Sequence, residues 1–541
     1  MSAENPSLSR HPILQLATQL TRSDLLLILL IGLVAFSARV IPEPRTVDDA
    51  FITFRYSRNI VEGEGFVYNP DSKVLGTTTP LYTLLMAGFG GILGDNYQWY
   101  ALIINALADT ISVILLYLLA RYLTGSRLAG GFLGLLWALL SYSVTFAIGG
   151  METSVHNLFM IAAWVAYLDK RRGWVGALVA LGLLTRPDAL LWAAPLMLHQ
   201  LWTAWRERTP DQNLWSWLPL PDYVAGLIIG LPWVIFATLY FGSPLPHTIG
   251  TKSVVYQVDD TQALIKMLQQ FANPIDQFEI LGPVVGTGIG LILFPFLALV
   301  GLRAMLKAHP RTLPIFLHAW IYLAVFSVTN PLIFRWYLTP PMPAYLLAIV
   351  CGAYSLGQSL TPSVGAQRLK FAAYGLSAFA ILCVLAGWQL KPDHRPNRPA
   401  PKMAFHEIEL NYQTVAERLV HEENIGPDTL IAAGDIGAVG FFSHARILDT
   451  IGLVTNNLNR YYETEGYEDL IPEEGNYAIP PQMIFDRQPD YIITMLDFVR
   501  LGLQQDPRFT EQYELLYEIK TDYYGGAMLV YKRIAPARAV Q

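Results

Sequence analysis

Cysteine is all but missing: Cys351 and Cys383 are two residues in 541, both inside apolar runs. A disulfide framework is excluded, and the runs set the pair near opposite membrane faces, so no bridge between them is expected. Charge is scarce too, with 15% charged against 53% hydrophobic side chains and a mean hydropathy of +0.35. Such a balance excludes a large soluble enzyme and describes a polytopic membrane protein. A formal net charge of -6 lacks the basic footprint of a nucleic-acid binder. There is no metal-ligand cluster, no Gly-x-Ser-x-Gly elbow and no internal repeat. The amino terminus has no small-residue cleavage site after its first apolar segment, Leu25 to Val40, so that segment reads as a retained span behind a cytoplasmic tail, residues 1–23.

What is present is a series of apolar stretches, at roughly 24–42, 99–120, 128–148, 152–169, 187–204, 221–241, 282–304, 312–329, 335–357 and 370–389. One more, Trp174 to Thr185, is about 18 Å long as a helix, short of the hydrocarbon thickness. Basic residues set the topology, since short Arg- and Lys-rich loops stay cytoplasmic. Arg121 with Arg127, Lys170 to Arg172, Arg206 with Arg208, Arg303 with Lys307 and Arg311, and Arg368 with Lys370 alternate only if Trp174 to Thr185 is its own crossing. About eleven membrane segments then form a domain over 24–390, with Asp48, Asp49 and everything beyond it extracytoplasmic. An incomplete crossing that ends at Arg186-Pro187-Asp188 leaves charged turns at membrane depth, tolerable against protein or a wet cavity.

Two adjacent acids, Asp48 and Asp49, follow the first span. From Asp49 on, Arg55, Arg58, Asn59 and Glu62 share one helical face and Ile52, Tyr56 and Ile60 the other, which predicts a helix lying flat on the outer leaflet. Capping explains one acid at a helix start well and two poorly, so the pair is a candidate for catalysis or ligand binding. A turn at Tyr68 to Ser72 and a short apolar helix from Thr79 to Ala87 complete the loop. The second outer loop carries Phe241 to Ser253, stiffened by two prolines, with Lys252 as a cation and His247 reading as an ordinary loop histidine. Arg335 is the only charge in the outer turn Asn330 to Pro343, and Arg is the residue type that grips a phosphate with two parallel hydrogen bonds.

Past Gln389 the composition changes to a Pro-rich linker, 391–402, and a globular segment, 403–541. A helix near His406 to Glu422 and strands Thr429 to Ala433, Arg446 to Leu448, Tyr491 to Met495 and Ala527 to Tyr531 predict a small α/β domain. Gly434-Asp-Ile-Gly-Ala-Val-Gly440 has the look of a phosphate-binding loop, although its spacing fits the dinucleotide fingerprint poorly.

Taken in order, Asp48-Asp-Ala-Phe-Ile-Thr-Phe-Arg-Tyr56, Gly65 to Pro70, Gly150-Met-Glu-Thr153, Thr185-Arg-Pro-Asp188, Gly242 to Pro246 with Lys252, and Phe334-Arg-Trp-Tyr337 resemble the GT-C superfamily of membrane glycosyltransferases. Within it the series is similar to the terminal arabinofuranosyltransferases of mycobacterial cell walls and their bacterial relatives, and the likeness extends to Gly434 to Gly437 and Leu448 to Leu453. Departures fall in the segment Val74 to Thr78, where relatives often have a Glu, and at His247, where they often have Asn.

The resemblance implies transfer of one sugar, with inversion, from a polyprenyl-phosphate donor to a hydroxyl of a glycan or protein acceptor at the outer face of a bacterial plasma membrane. Asp48 is the expected base and Asp49 the alternative or its partner. Arg335, Lys252 and Arg186, in that order, would hold the departing phosphate, with Asp188, Glu152, Arg55 and His247 assigned to the donor pocket. No cofactor is required; two acids could bind a divalent metal, but a monophosphate donor does not demand one. The rival readings are a transporter and a non-catalytic glycan-binding membrane protein. Interrupted helices at matching places in two halves would favour the first, and only one interrupted pair is found.

Overall fold

The computed structural model describes residues 11–70, 72–389, 399–404, 406–473 and 475–534. Most of the expected linker, and the first ten residues of the expected tail, lie outside the described residues. Seven helices are long and apolar enough to cross a bilayer: Arg22–Val40, Tyr97–Thr124, Leu220–Phe241, Pro283–Ala308, Pro310–Thr329, Arg335–Val364 and Ala366–Trp388. Arg127–Leu139 and Ser141–Ile148, bent by 48° at Leu140, make an eighth if taken as one span. Thr153–Leu168, Trp174–Thr185 and Leu190–Arg206 have 16, 12 and 17 residues. This is an integral membrane, mostly helical chain.

The chain divides into two compact units, each discontinuous in sequence. The first comprises 1–45, 98–233 and 261–405. Its helices approach closely through small residues. A Cβ on Gly301 would lie 2.1 Å from the Ala348 carbonyl oxygen and one on Gly352 1.9 Å from that of Leu297, so Pro283–Ala308 and Met342–Val364 pack backbone to backbone. A buried ion pair ties several of these helices. The Arg39 Nε donates to Asp109 at 2.7 Å, its other nitrogens reach the carbonyls of Ala35 and Ala138 and the Ser143 hydroxyl, and Ser154 donates to Asp109.

The basic loops of this unit gather at one end. Arg127 pairs with Asp24 at 3.0 Å, Asp169 accepts from the backbone of Ile13 and Leu14, and Arg311 pairs with Glu207 at 2.6 Å. Asp222, at the start of the helix Leu220–Phe241, accepts from the amides of Gly173 and Gly176 and from Gln200. Trp174–Thr185 therefore leaves this end and Leu190–Arg206 returns to it, with Arg186 to Asp188 at the far turn.

The second unit comprises 46–97, 234–260 and 406–541. Its sheet has the order β2-β1-β3-β5-β4, with β1 Leu430–Ala433, β2 Arg446–Asp449, β3 Tyr491–Met495, β4 Tyr513–Lys520 and β5 Ala527–Arg533. The first three strands are parallel, and β5 runs antiparallel to both β3 and β4. Four of these were legible in sequence; β4 was not. The central β3 is buried along its whole length, whereas β4 is an edge strand with Glu514, Glu518 and Lys520 on it and a register shift between Leu515 and Tyr517.

Helix Asp48–Glu62 belongs to this unit and does not lie flat on a leaflet. Its residues 50–59 are all buried, both faces included. The expectation of a wetted polar face fails because Arg55 and Arg58 bond to backbone carbonyls of the carboxy-terminal segment and Asn59 to those of Val67 and Tyr68.

Candidate active site

Asp48 opens its helix, but Val47 before it provides no side-chain cap. Instead of bonding its own first turn, the Asp48 carboxylate accepts from the amides of Gly437 at 2.7 Å and Ala438 at 2.8 Å, at the start of the helix Gly437–Ser443. The glycine-rich segment is an anion-binding turn after all, and the anion is the chain's own carboxylate. Gly437 is required there, since a Cβ would fall 1.8 Å from the Asp48 carbonyl oxygen. The Asp48 amide in turn donates to Glu409 Oε1 at 3.3 Å.

Four acids thus share one neighbourhood: Asp48, Asp49, Asp435 and Glu409. Burial, then the charges of Asp435 and Asp49, raise the Asp48 carboxyl well above the usual range, against the pull of the two amides. Burial pushes Asp435 up to about 6, opposed by the Tyr412 hydroxyl, which donates to it at 2.9 Å. Glu409 is 8% exposed and raised by burial to about 8, and its Oε2 has no hydrogen-bond partner. Asp49 is partly exposed and makes no side-chain hydrogen bond among the described residues. Its charge acts on Asp48, Asp435, Glu409 and Tyr256. Among the described residues no three His, Cys, Asp or Glu are arranged to hold a metal ion.

Arg55, expected in the donor pocket, acts in the structure as a clamp. Its guanidinium is buried and donates to the carbonyls of Tyr68 at 2.8 Å, Gly440 at 2.6 Å and Ala445 at 2.7 Å, and to Asn69 at 3.3 Å. Asn69 also pairs both ways with the Ile447 backbone, closing the open edge of β2. Arg58 holds the Phe441 carbonyl at 2.9 Å and lies over its ring at 4.3 Å. Nearby, Asp449 caps its own turn by accepting from Ile451 and Val454, which explains Leu448 to Leu453 as a structural motif. His247 and Lys252 sit on the helix His247–Val255, with the His247 amide on the Leu75 carbonyl at 2.9 Å. Both are partly exposed, and burial lowers the His247 pKa.

In the first unit, Arg186 is buried and bidentate to Asp188 at 2.9 and 3.0 Å, with Glu152 at 2.9 Å on its remaining nitrogen. Tyr322 donates to Asp188 at 2.9 Å. One cation facing two carboxylates leaves no net positive charge for a phosphate. Sequence reasoning missed His156 beside this network; it is fully buried and neither ring nitrogen has a partner among the described residues. Arg335 is exposed, with Nη1 3.4 Å from the Met403 carbonyl. Lys266 lies close enough for the two charges to repel, a second cation that no linear motif signals.

Two family models match parts of the chain: Dolichyl-phosphate-mannose-protein mannosyltransferase over residues 77–236 and a domain of unknown function, DUF8728, over 404–533. No curated protein sequence matches it. Among solved structures it is similar to ArnT from Cupriavidus metallidurans bound to undecaprenyl phosphate, with a TM-score of 0.52, 14% identity and coverage of 94% of this chain and 97% of that one. It is also similar to the Archaeoglobus fulgidus oligosaccharyltransferase in complex with Zn and sulfate, with a TM-score of 0.53, 11% identity and coverage of 91% and 72%. With the helical membrane part and the small sheet already described, these likenesses establish that the chain has a GT-C-like fold.

Proposed function

We propose that this protein is a membrane glycosyltransferase that moves one sugar from a polyprenyl-phosphate donor to an acceptor hydroxyl outside the cell, with inversion. The observation that carries the reading is Asp48, an acid fixed by two backbone amides, with its carboxyl raised above the usual range by burial and neighbouring acids. Each carboxylate oxygen accepts one amide and keeps a second lone pair for the acceptor hydroxyl. As that hydroxyl attacks the anomeric carbon, Asp48 takes its proton, the bond from carbon to phosphate oxygen breaks, and the lipid phosphate leaves with the electron pair. Asp49, which accepts no side-chain hydrogen bond among the described residues, orients the acceptor. Arg335 and Lys252 are the cations assigned to the departing phosphate, and Arg186, Asp188 and Glu152 to holding the turn they share.

The matched mannosyltransferase model and the lipid bound to the ArnT relative support a polyprenyl-phosphate donor. The departures at Val74 to Thr78 and at His247 fall in the sugar pocket of this reading, so the donor sugar is a hexose or a pentose. The test is transfer by the purified, reconstituted chain from a panel of synthetic polyprenyl-phosphate pentoses and hexoses. Asp48→Asn is expected to lower the rate by about 10²–10⁴-fold, the usual worth of a positioned base. Full activity in that variant removes Asp48 from the role. Loss in Asp49→Asn alone exchanges the two.

A further inference from the structure

A cavity of about 230 Å³ opens at the end of the membrane unit where the basic loops gather, lined by Lys170, Arg171, Arg172, Gln200, Trp217 and Arg311, among others. At the ~30 Å³ that a water occupies in liquid it holds several waters, enough for a small polar headgroup. Its acids are already engaged. Glu207 is paired with Arg311, and Asp222 receives two backbone amides and Gln200 Nε2. Its consecutive cations are not: the side chains of Lys170, Arg171 and Arg172 make no ion pair or hydrogen bond among the described residues. Gln200 Oε1 is buried without a partner among the described residues, an acceptor waiting for a hydroxyl. The floor is rigid, because a Cβ on Gly176 would meet the Asp222 carbonyl at 1.7 Å. Exposed Trp174, Trp202, Trp205 and Trp215 surround this end, and Arg206 and Arg208 stack on Trp202 and Trp205 at 5.0 and 5.2 Å. Such a belt marks the headgroup level of a bilayer. Loop charge that only orients a chain in the membrane requires neither a cavity nor a buried acceptor.

We propose that this cavity binds a phosphoglycerol group, its phosphate on Arg171 and Arg172 and a glycerol hydroxyl on Gln200 Oε1, supplied by an anionic lipid headgroup. The test titrates the delipidated full chain in detergent with dioctanoyl phosphatidylglycerol, dioctanoyl phosphatidylcholine or inorganic phosphate, with binding read by native mass spectrometry. Phosphatidylglycerol is expected to bind at least tenfold more tightly than phosphatidylcholine, and Arg171→Gln with Arg172→Gln to reduce that binding at least tenfold. If the double variant is not recovered, Arg172→Glu at an exposed position gives the same readout. Equal binding of the two lipids, or binding unchanged in the variants, overturns the proposal. Inorganic phosphate binding as tightly as the lipid overturns the lipid source.

Discussion

Asp48 illustrates how a carboxyl can be held firmly and still be made basic. Two amides favour its ionised form, while burial and the neighbouring Asp435 oppose it more strongly. Asp435→Asn removes that repulsion, so the acid limb of the kcat/KM profile is expected to move to lower pH with the fold intact. An unmoved limb would show that Asp435 does not influence the base. Glu409 gives a stability counterpart. Its folded pKa of about 8 lies above the ordinary value, so the folded chain binds this proton more tightly than the unfolded one. The contribution is complete below about pH 4.5, falls as pH rises and is lost above about 8, at roughly 1.4 kcal/mol for each tenfold difference in proton affinity. Glu409→Gln keeps the acceptor for the Asp48 amide and should raise the melting temperature at pH 8.5 more than at pH 5. Equal changes at both would remove Glu409 as the source of the pH dependence. Sequence singled out Asp48, Asp49 and the loop that carries Asp435 but not their meeting, and Glu409 not at all, because it stands in an ordinary helix until long-range folding brings them close.

The helix Asp48–Glu62 and the segment Gly434–Ser443 form a joint in which each element lacks something the other supplies. The helix has no cap and brings buried Arg55, Arg58 and Asn59; the segment has free amides and carbonyls at its two ends. Periodicity found the helix and assigned its polar face to water, since local pattern cannot tell a wet charge from one that folds onto carbonyls. The apolar spans and the central strands were legible for the opposite reason: their burial is written in the residues themselves. Gly437→Ala drives a Cβ against the Asp48 carbonyl and should cost about 1–3 kcal/mol by overpacking, with loss of transfer activity. Asn69→Ala leaves the Ile447 amide and carbonyl without these partners and should destabilise by a similar amount. Denaturant unfolding of the solubilised chain measures both.

Composition alone settled that the chain belongs in a membrane, and its basic loops do assemble at one end of the first unit. The orientation predicted from them is open to direct test, because the native Cys351 and Cys383 are buried and add little background. A membrane-impermeant maleimide applied to intact cells should label Glu465→Cys, an exposed position of the second unit, and spare Lys170→Cys. The reverse pattern would turn the assignment inside out and remove the acid pair from the outer face. What sequence could not convey is that residues 46–97 and 406–541 fold into one body, for pairing across such separation leaves no local trace. The bond from Asp48 to Gly437 bridges 389 positions. A nascent chain therefore presents its acid pair long before the cradle that tunes it has been translated. A chain that ends before residue 437 therefore has the acid pair but neither of the amides that hold Asp48.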